Sequence, residues 1–213
     1  MSESDLKTVI IDYGMGNLRS VQKAFEKLGE PAVISGKPGD IERADRVVLP
    51  GVGAFRDAAD ALKRQDLAAA VKDYLLADRP FLGICLGMQL LMEVSYEDGE
   101  HEGLGIIPGD VRRFELPLEF KIPHMGWNQV HLAADADPLA ARVVPCGGWF
   151  YFVHSYHVIP DDRSWVGATT DYGGNFVSVV ARGNVMATQF HPEKSQSAGL
   201  QLLSQFLTMS QPV

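Results

Sequence analysis

The pentapeptide Gly83-Ile84-Cys85-Leu86-Gly87 sets a thiol between two glycines, where a short apolar run, Pro80–Ile84, gives way to a helix-forming stretch, Leu86–Met92. It has the form of the G-x-S-x-G nucleophile elbow with Cys in place of Ser. A sharp strand-to-helix turn strains the backbone at the nucleophile, and glycines on either side remove Cβ atoms that would clash. A helix starting at Leu86 directs its backbone N–H groups and positive end at the sulfur, which favours thiolate over thiol. The Leu86 N–H is also placed to bond a developing oxyanion. A buried structural cysteine satisfies the same five residues, so the reading needs a base.

Gln189-Phe190-His191-Pro192-Glu193-Lys194 offers one. An imidazole at a strand end, with a carboxylate two residues on, supplies both a proton acceptor and the group that orients its other nitrogen. Alone, His-x-Glu reads as a surface loop. Beside Cys85 it completes a Cys-His-Glu set, provided both segments end at the carboxyl edge of one sheet. Leu49-Pro50-Gly51-Val52-Gly53-Ala54-Phe55 is a glycine-rich loop after a strand, whose freed N–H groups could form the second oxyanion donor. A tight strand-to-helix connection would look the same. Gly14-Met15-Gly16-Asn17 is a poor dinucleotide fingerprint, because Arg19 stands where the third glycine belongs, and there is no P-loop.

Positioning these groups calls for an α/β sheet. Thr8–Asp12, Ala32–Ile34, Arg46–Leu49 and Pro80–Ile84 are short apolar runs of the kind buried on both faces of a parallel sheet. Between them Leu18, Val21, Phe25 and Leu28 recur at helical spacing with Gly29 as a C-terminal cap, and Phe55–Ala77 is a helix by composition. From Val111 the pattern changes to β segments separated by turn signals: Val111–Glu115, Asn128–Leu132, Trp149–Tyr156, Trp165–Thr170, Phe176–Ala181 and Val185–Phe190. These predict antiparallel strands and hairpins joined to the edge of the parallel part. A last helix, about Ser197–Thr208, is expected to bury Leu200, Leu203, Phe206 and Leu207.

The chain has 213 residues, 46% hydrophobic and 22% charged, which fits one globular domain spanning 1–213. A formal charge of −8 argues against nucleic acid or an anionic membrane as partner. Two cysteines, Cys85 and Cys146, are too few for a disulfide framework, and His154 and His157 have no evident fellow ligands for zinc. Neither a metal nor a cofactor is called for. The polar, acidic start Met1–Asp5 is not a targeting peptide and is expected to be disordered. No apolar run approaches the ~20 residues that span a bilayer. The expectation is a soluble, cytoplasmic protein with reduced thiols.

At its three motifs the chain resembles the class I glutamine amidotransferases, in that family's order: the Pro50–Phe55 loop, the Gly83–Gly87 elbow and His191-Pro192-Glu193. Within that family, Ile11–Leu18, Pro123–Asn128 and Tyr151–Tyr156 resemble the glutaminase subunits of imidazole glycerol phosphate synthase. The resemblance runs from about Lys7 to the final helix. It implies a flavodoxin-like sheet, mostly parallel, with an added antiparallel part in the C-terminal half. It implies that Cys85 attacks L-glutamine, His191 moves the proton and Glu193 orients His191. The oxyanion donors would be the backbone of Leu86 and of Val52–Gly53, and the substrate contacts Gly53, Gln89, Glu97, Ser155 and Tyr156. No length is left for a synthase domain, so the ammonia is expected to pass to a cyclase subunit, a (β/α)₈ barrel, faced by Trp127, Asn128, Tyr151 and Lys194. Two other readings share these motifs: a glutamine hydrolase of another pathway, and a non-catalytic module with Cys85 as redox sensor. The first should lack the Asp12–Leu18 and Pro123–Asn128 stretches; the second should have lost His191 or Glu193, and neither is lost.

Overall fold

The computed structural model describes residues 8–209, and the expectation for residues 1–5 lies outside them. In chain order the first half comprises β1 (Thr8–Ile11), α1 (Leu18–Lys27), β2 (Val33–Ser35), α2 (Pro38–Arg43), β3 (Arg46–Gly51), α3 (Phe55–Arg64), α4 (Leu67–Leu76), β4 (Phe81–Cys85) and α5 (Leu86–Gln89). Then follow β5 (Met92–Ser95), β6 (His101–Glu102), β7 (Ile107–Arg113), β8 (His124–Gln129), β9 (His131–Leu132) and α6 (Pro138–Val143). The last are β10 (Trp149–His154), β11 (Tyr156–Pro160), β12 (Val166–Asp171), β13 (Asn175–Arg182), β14 (Val185–Thr188) and α7 (Gln196–Phe206).

The central sheet runs β2-β1-β3-β4-β14-β13-β12-β9. Its strands from β2 to β14 are parallel and the rest antiparallel, so the parallel part has the flavodoxin-like strand order. Strands β1, β4 and β14 are buried at every position, which is why they read as continuous apolar runs. Their side chains alternate between two cores. Val9, Ile11, Val47 and Leu49 meet α3 and α4, whereas Ile10, Val48, Leu82 and Ile84 meet α1 and α7.

The structure departs from the sequence pattern in ways that bear on the site. The segment ending at His191 pairs antiparallel with β13 on one edge but parallel with β4 on the other. That direction brings its end to the same edge as the elbow. Gly51 lies opposite Cys85 and Thr188 opposite Ile84, so the chain leaves β3, β4 and β14 side by side. The expected helix from Leu86 to Met92 is one turn, and Met92 already starts β5. Trp149–Tyr156 breaks at Ser155, with β10 pairing β8 and β11 pairing β7. Phe55–Ala77 divides at Asp66, whose φ of 57° is a conformation Asp tolerates, and each half buries its own apolar face. Helix α7 buries Leu202 with Leu203 and Phe206, leaving Leu200 and Leu207 half-buried. At six residues each, α2 and α6 are too short to show a helical period in the sequence. Among the described residues no helix is long and apolar enough to cross a membrane.

Candidate active site

Cys85 ends β4 with φ 55° and ψ −107°, a strained conformation for a residue with a side chain. The surrounding glycines show why the strain is held. A Cβ on Gly87 would strike the Leu49 carbonyl oxygen, and one on Gly83 would lie 2.8 Å from Ala187 Cβ and 2.9 Å from the Gly87 oxygen. The elbow is therefore wedged between β3 and β14 with no room for larger residues. Because α5 is a single turn, its dipole is small.

His191 stands just past the end of β14, clamped through its backbone. Its N–H donates to the Tyr151 carbonyl at 2.9 Å, and Ser195 Oγ donates to its carbonyl at 2.6 Å. Ser195 Oγ also accepts from the Tyr151 N–H at 2.9 Å. The side chain pairs through Nδ1 with Glu193 Oε1 at 2.9 Å, and both side chains are at most 2% exposed. Burial alone would lower the imidazole pKa, but the sulfur of Cys85 and the Glu193 carboxylate, acting as hydrogen-bond acceptors and as charges, push it up to about 9. Nδ1 is taken by Glu193, which leaves Nε2 as the nitrogen that meets the Cys85 sulfur. At neutral pH this ring is a cation with one N–H held by the carboxylate and the other turned to the sulfur.

The loop after β3 is braced from below. Tyr13 donates its hydroxyl to the Pro50 carbonyl at 3.0 Å, and burial, with the charge of Cys85 adding, raises its pKa and keeps it protonated. Gly53 takes φ +99°, and Val52 is exposed beside it. Glu97 Oε2, between β5 and β6, accepts the Phe55 N–H at 2.8 Å, tying that segment to the start of α3 where the loop ends. Burial raises the Glu97 pKa, with the Phe55 N–H opposing it.

These elements enclose an open cleft of about 320 Å³, which suits a small metabolite. Every expected oxyanion and substrate residue lines it: Val52, Gly53, Leu86, Gln89, Glu97, Ser155 and Tyr156, together with Cys85 and His191. Glu193 sits behind His191. The residues expected at a partner lie elsewhere. Trp127 and Tyr151 meet edge to face at 6.2 Å on the outer face of the β8–β10 pair, with Lys194 Nζ 6.0 Å above the Tyr151 ring. Trp127 is 43% exposed, so it is not a core aromatic. Asn128 points the other way, donating to the Asp171 carbonyl at 2.8 Å.

Three site residues escape a reading of the sequence. Tyr13 looks like the tail of an apolar run. His154, which also lines the cleft, looks like an isolated histidine. Gln189 precedes the His-Pro-Glu motif, and its nearness to Cys85 follows only from the register of β14 on β4. Among the described residues no three His, Cys, Asp or Glu side chains gather in a group that could hold a metal.

Residues 9–209 match the family described as Glutamine amidotransferase class-I. The chain belongs to that family. It is 55% identical over 199 residues to the imidazole glycerol phosphate synthase subunit HisH of Rhodopirellula baltica, covering 93% of this chain and 96% of the relative. It is 52% identical to the subunit of the same name from Aquifex aeolicus, over 94% and 96% of the two chains. Within the class I glutamine amidotransferases it therefore belongs with the HisH glutaminase subunits. An Arabidopsis thaliana protein, imidazole glycerol phosphate synthase hisHF, is 47% identical over 97% of this chain but only 35% of its own length. Among solved structures, PurLQS from Thermotoga maritima superposes with a TM-score of 0.73 at 17% identity, over 94% of this chain and 97% of that one. A glutamine amidotransferase gives 0.71 at 18%, over 93% and 97%. At such identities these two matches show the class I fold.

Proposed function

We propose that the chain hydrolyses L-glutamine to glutamate and ammonia through a thioester on Cys85, and that it hands the ammonia to a cyclase subunit in histidine biosynthesis. The observation that carries this reading is the meeting of Cys85, at a strained elbow, with the His191–Glu193 ion pair in one cleft. The thiolate attacks the side-chain amide carbon, and the oxyanion takes hydrogen bonds from the Leu86 N–H and the Val52–Gly53 backbone. His191, a cation at neutral pH, gives its Nε2 proton to the leaving nitrogen. Ammonia departs and the γ-glutamyl thioester remains. Neutral His191 then takes a proton from water, the resulting hydroxide attacks the thioester, and glutamate leaves as the thiolate is restored. Glu193 holds the ring and stabilises its cation throughout.

Glu97 supplies the negative charge that the glutamine ammonium needs, with Gly53, Gln89, Ser155 and Tyr156 holding the rest of the substrate. The partner we propose is a (β/α)₈ barrel seated on the face of Trp127, Tyr151 and Lys194, with Asn128 bracing that face from behind. The synthase-subunit name carried by the relatives, and the longer Arabidopsis relative in which the matched region is about a third, support a partnered chain. A reducing cytoplasm would keep the thiol free.

Glutamate release should be measured with the purified chain, with and without the cyclase subunit and its nucleotide ligand. Strong stimulation by the barrel, abolished in Cys85→Ala, is the expected result. Brisk release indifferent to the barrel would assign the chain to another pathway's amidotransferase. Absence of release in both conditions would leave a binding module.

A further inference from the structure

A line of hydrogen bonds that does not pass through His191 also reaches Cys85. Gln189, fully buried, directs its amide Nε2 at Cys85 Sγ, 3.7 Å away. An amide can be turned either way, and here its direction is set by its neighbours. Gln89 spends both Nε2 protons, one on the Tyr156 carbonyl at 3.1 Å and one on Gln189 Oε1 at 3.2 Å. Gln189 must therefore present oxygen to Gln89 and N–H to the sulfur; turned over, it would set donor against donor.

The same logic runs backward to the β8–β10 pair. The Tyr156 carbonyl also takes His154 Nδ1 at 2.8 Å, which a carbonyl can only accept. Burial lowers the His154 pKa to about 3 and that of His124 to about 4, so both rings are neutral. With its proton on Nδ1, His154 offers a bare Nε2, and His124 Nδ1 donates to it at 3.1 Å. His124 Nε2 is then the acceptor for Asn128 Nδ2 at 3.4 Å. Each donor direction from Asn128 to the Tyr156 carbonyl, and from Gln89 to the sulfur, has a single consistent assignment.

We propose that Gln189 is a catalytic residue: its side-chain amide donates to Cys85 Sγ, holds the thiolate toward the substrate and supplies the donor that the one-turn α5 cannot. Gln89 is the positioning residue that turns the amide that way, leaving its own Oε1 free for substrate. The inference rests on Cys85 being the nucleophile of the proposed hydrolysis.

The test uses the full chain in a Cys146→Ser background, because Cys146 is an exposed thiol that would also react. Alkylation of Cys85 by iodoacetamide at neutral pH reads the sulfur without glutamine or partner. Gln189→Met keeps the length and removes the donor; alkylation should slow about tenfold, as expected for losing one hydrogen bond to a charged group. In the presence of the cyclase subunit, kcat for glutamate release should fall about ten- to hundredfold, with KM within about twofold. Gln189→Glu keeps the acceptor toward Gln89 and turns a carboxyl oxygen to the sulfur, so its loss should be at least as large. Should Gln189→Met fail to fold, this second variant decides alone. Wild-type alkylation rates in the folded variants would overturn the assignment, even if kcat and KM shifted together. Cys85→Ala separates the two claims: if it retains glutaminase activity the proposed function fails, and if it is inactive while the Gln189 variants behave as wild type, only the role of Gln189 fails.

Discussion

The molecule buries histidines in two regions and treats them oppositely. His191 is 2% exposed, His124 3% and His154 6%, so solvent access does not distinguish them. Yet His191 is pushed up to about 9, whereas burial lowers His124 to about 4 and His154 to about 3. The difference lies in the neighbours. His191 has a carboxylate at 2.9 Å and a thiol in front of it. His124 has His154 at 3.1 Å and is stacked on the rings of Phe152 and Tyr172 at 4.8 and 3.9 Å. Desolvation makes every buried imidazole prefer neutrality, and at His191 the Cys85 sulfur and the Glu193 carboxylate together reverse it. One region thus carries a proton to be given away, and the other a neutral line of donors that does not titrate in the working range.

The sharpest way to break the comparison is to remove the charged ring. His191→Asn should keep the fold and lower glutaminase turnover by about 10²–10⁴-fold, the usual worth of a general acid–base group. Turnover at the wild-type level would take His191 out of the mechanism. Glu193→Gln should move the first region toward the second: with only the Cys85 sulfur left to oppose burial, the His191 pKa read by NMR titration should drop from about 9. Turnover should fall by roughly ten- to hundredfold, less than for loss of the ring itself. A ring that still titrates near 9 would show that Cys85 alone sets its charge.

The smallest effect is on stability, and its sign differs between the regions. His124 and His154 bind fewer protons folded than unfolded, so their contribution is complete above pH 6.5 and is lost as pH falls toward about 4 and 3. His191 binds its proton more tightly when folded; its contribution is complete below pH 6.5 and is lost as pH rises through about 9. Urea unfolding across pH should show an acid slope of at most roughly 1.4 kcal/mol per pH unit for each titrating histidine. Replacing His124 and His154 by Gln should flatten that acid slope and leave the alkaline arm unchanged. An unchanged acid slope would mean that other groups govern acid unfolding.

Much of the site is legible along the chain because its signals are local. The Gly83–Gly87 elbow, the glycines of the Pro50–Phe55 loop and the His-Pro-Glu terminus each declare their chemistry within a few residues. Short buried strands likewise announce themselves as apolar runs. Where a signal depends on length or on a distant neighbour, the pattern misleads. The apolar stretch after Cys85 has helical composition, but after one turn its backbone is taken up in β5, which pairs with β6 and β7. Asn128 adjoins Trp127 in the sequence yet faces the other way, because neighbours along a strand alternate sides.

The sequence by itself determined which chemical groups the protein owns, the strained turn that displays its thiol, and the alternation that builds a sheet with two cores. Only the tertiary structure decided what those groups became. A hairpin from β13 turned β14 to lie parallel with β4, and its register brought Gln189 to Cys85 across 104 residues of chain. Burial and through-space neighbours then chose a cation at His191 and neutral rings at His124 and His154. The reason is physical: backbone preferences act between residues adjacent in the chain, whereas desolvation and charge act between atoms adjacent in space.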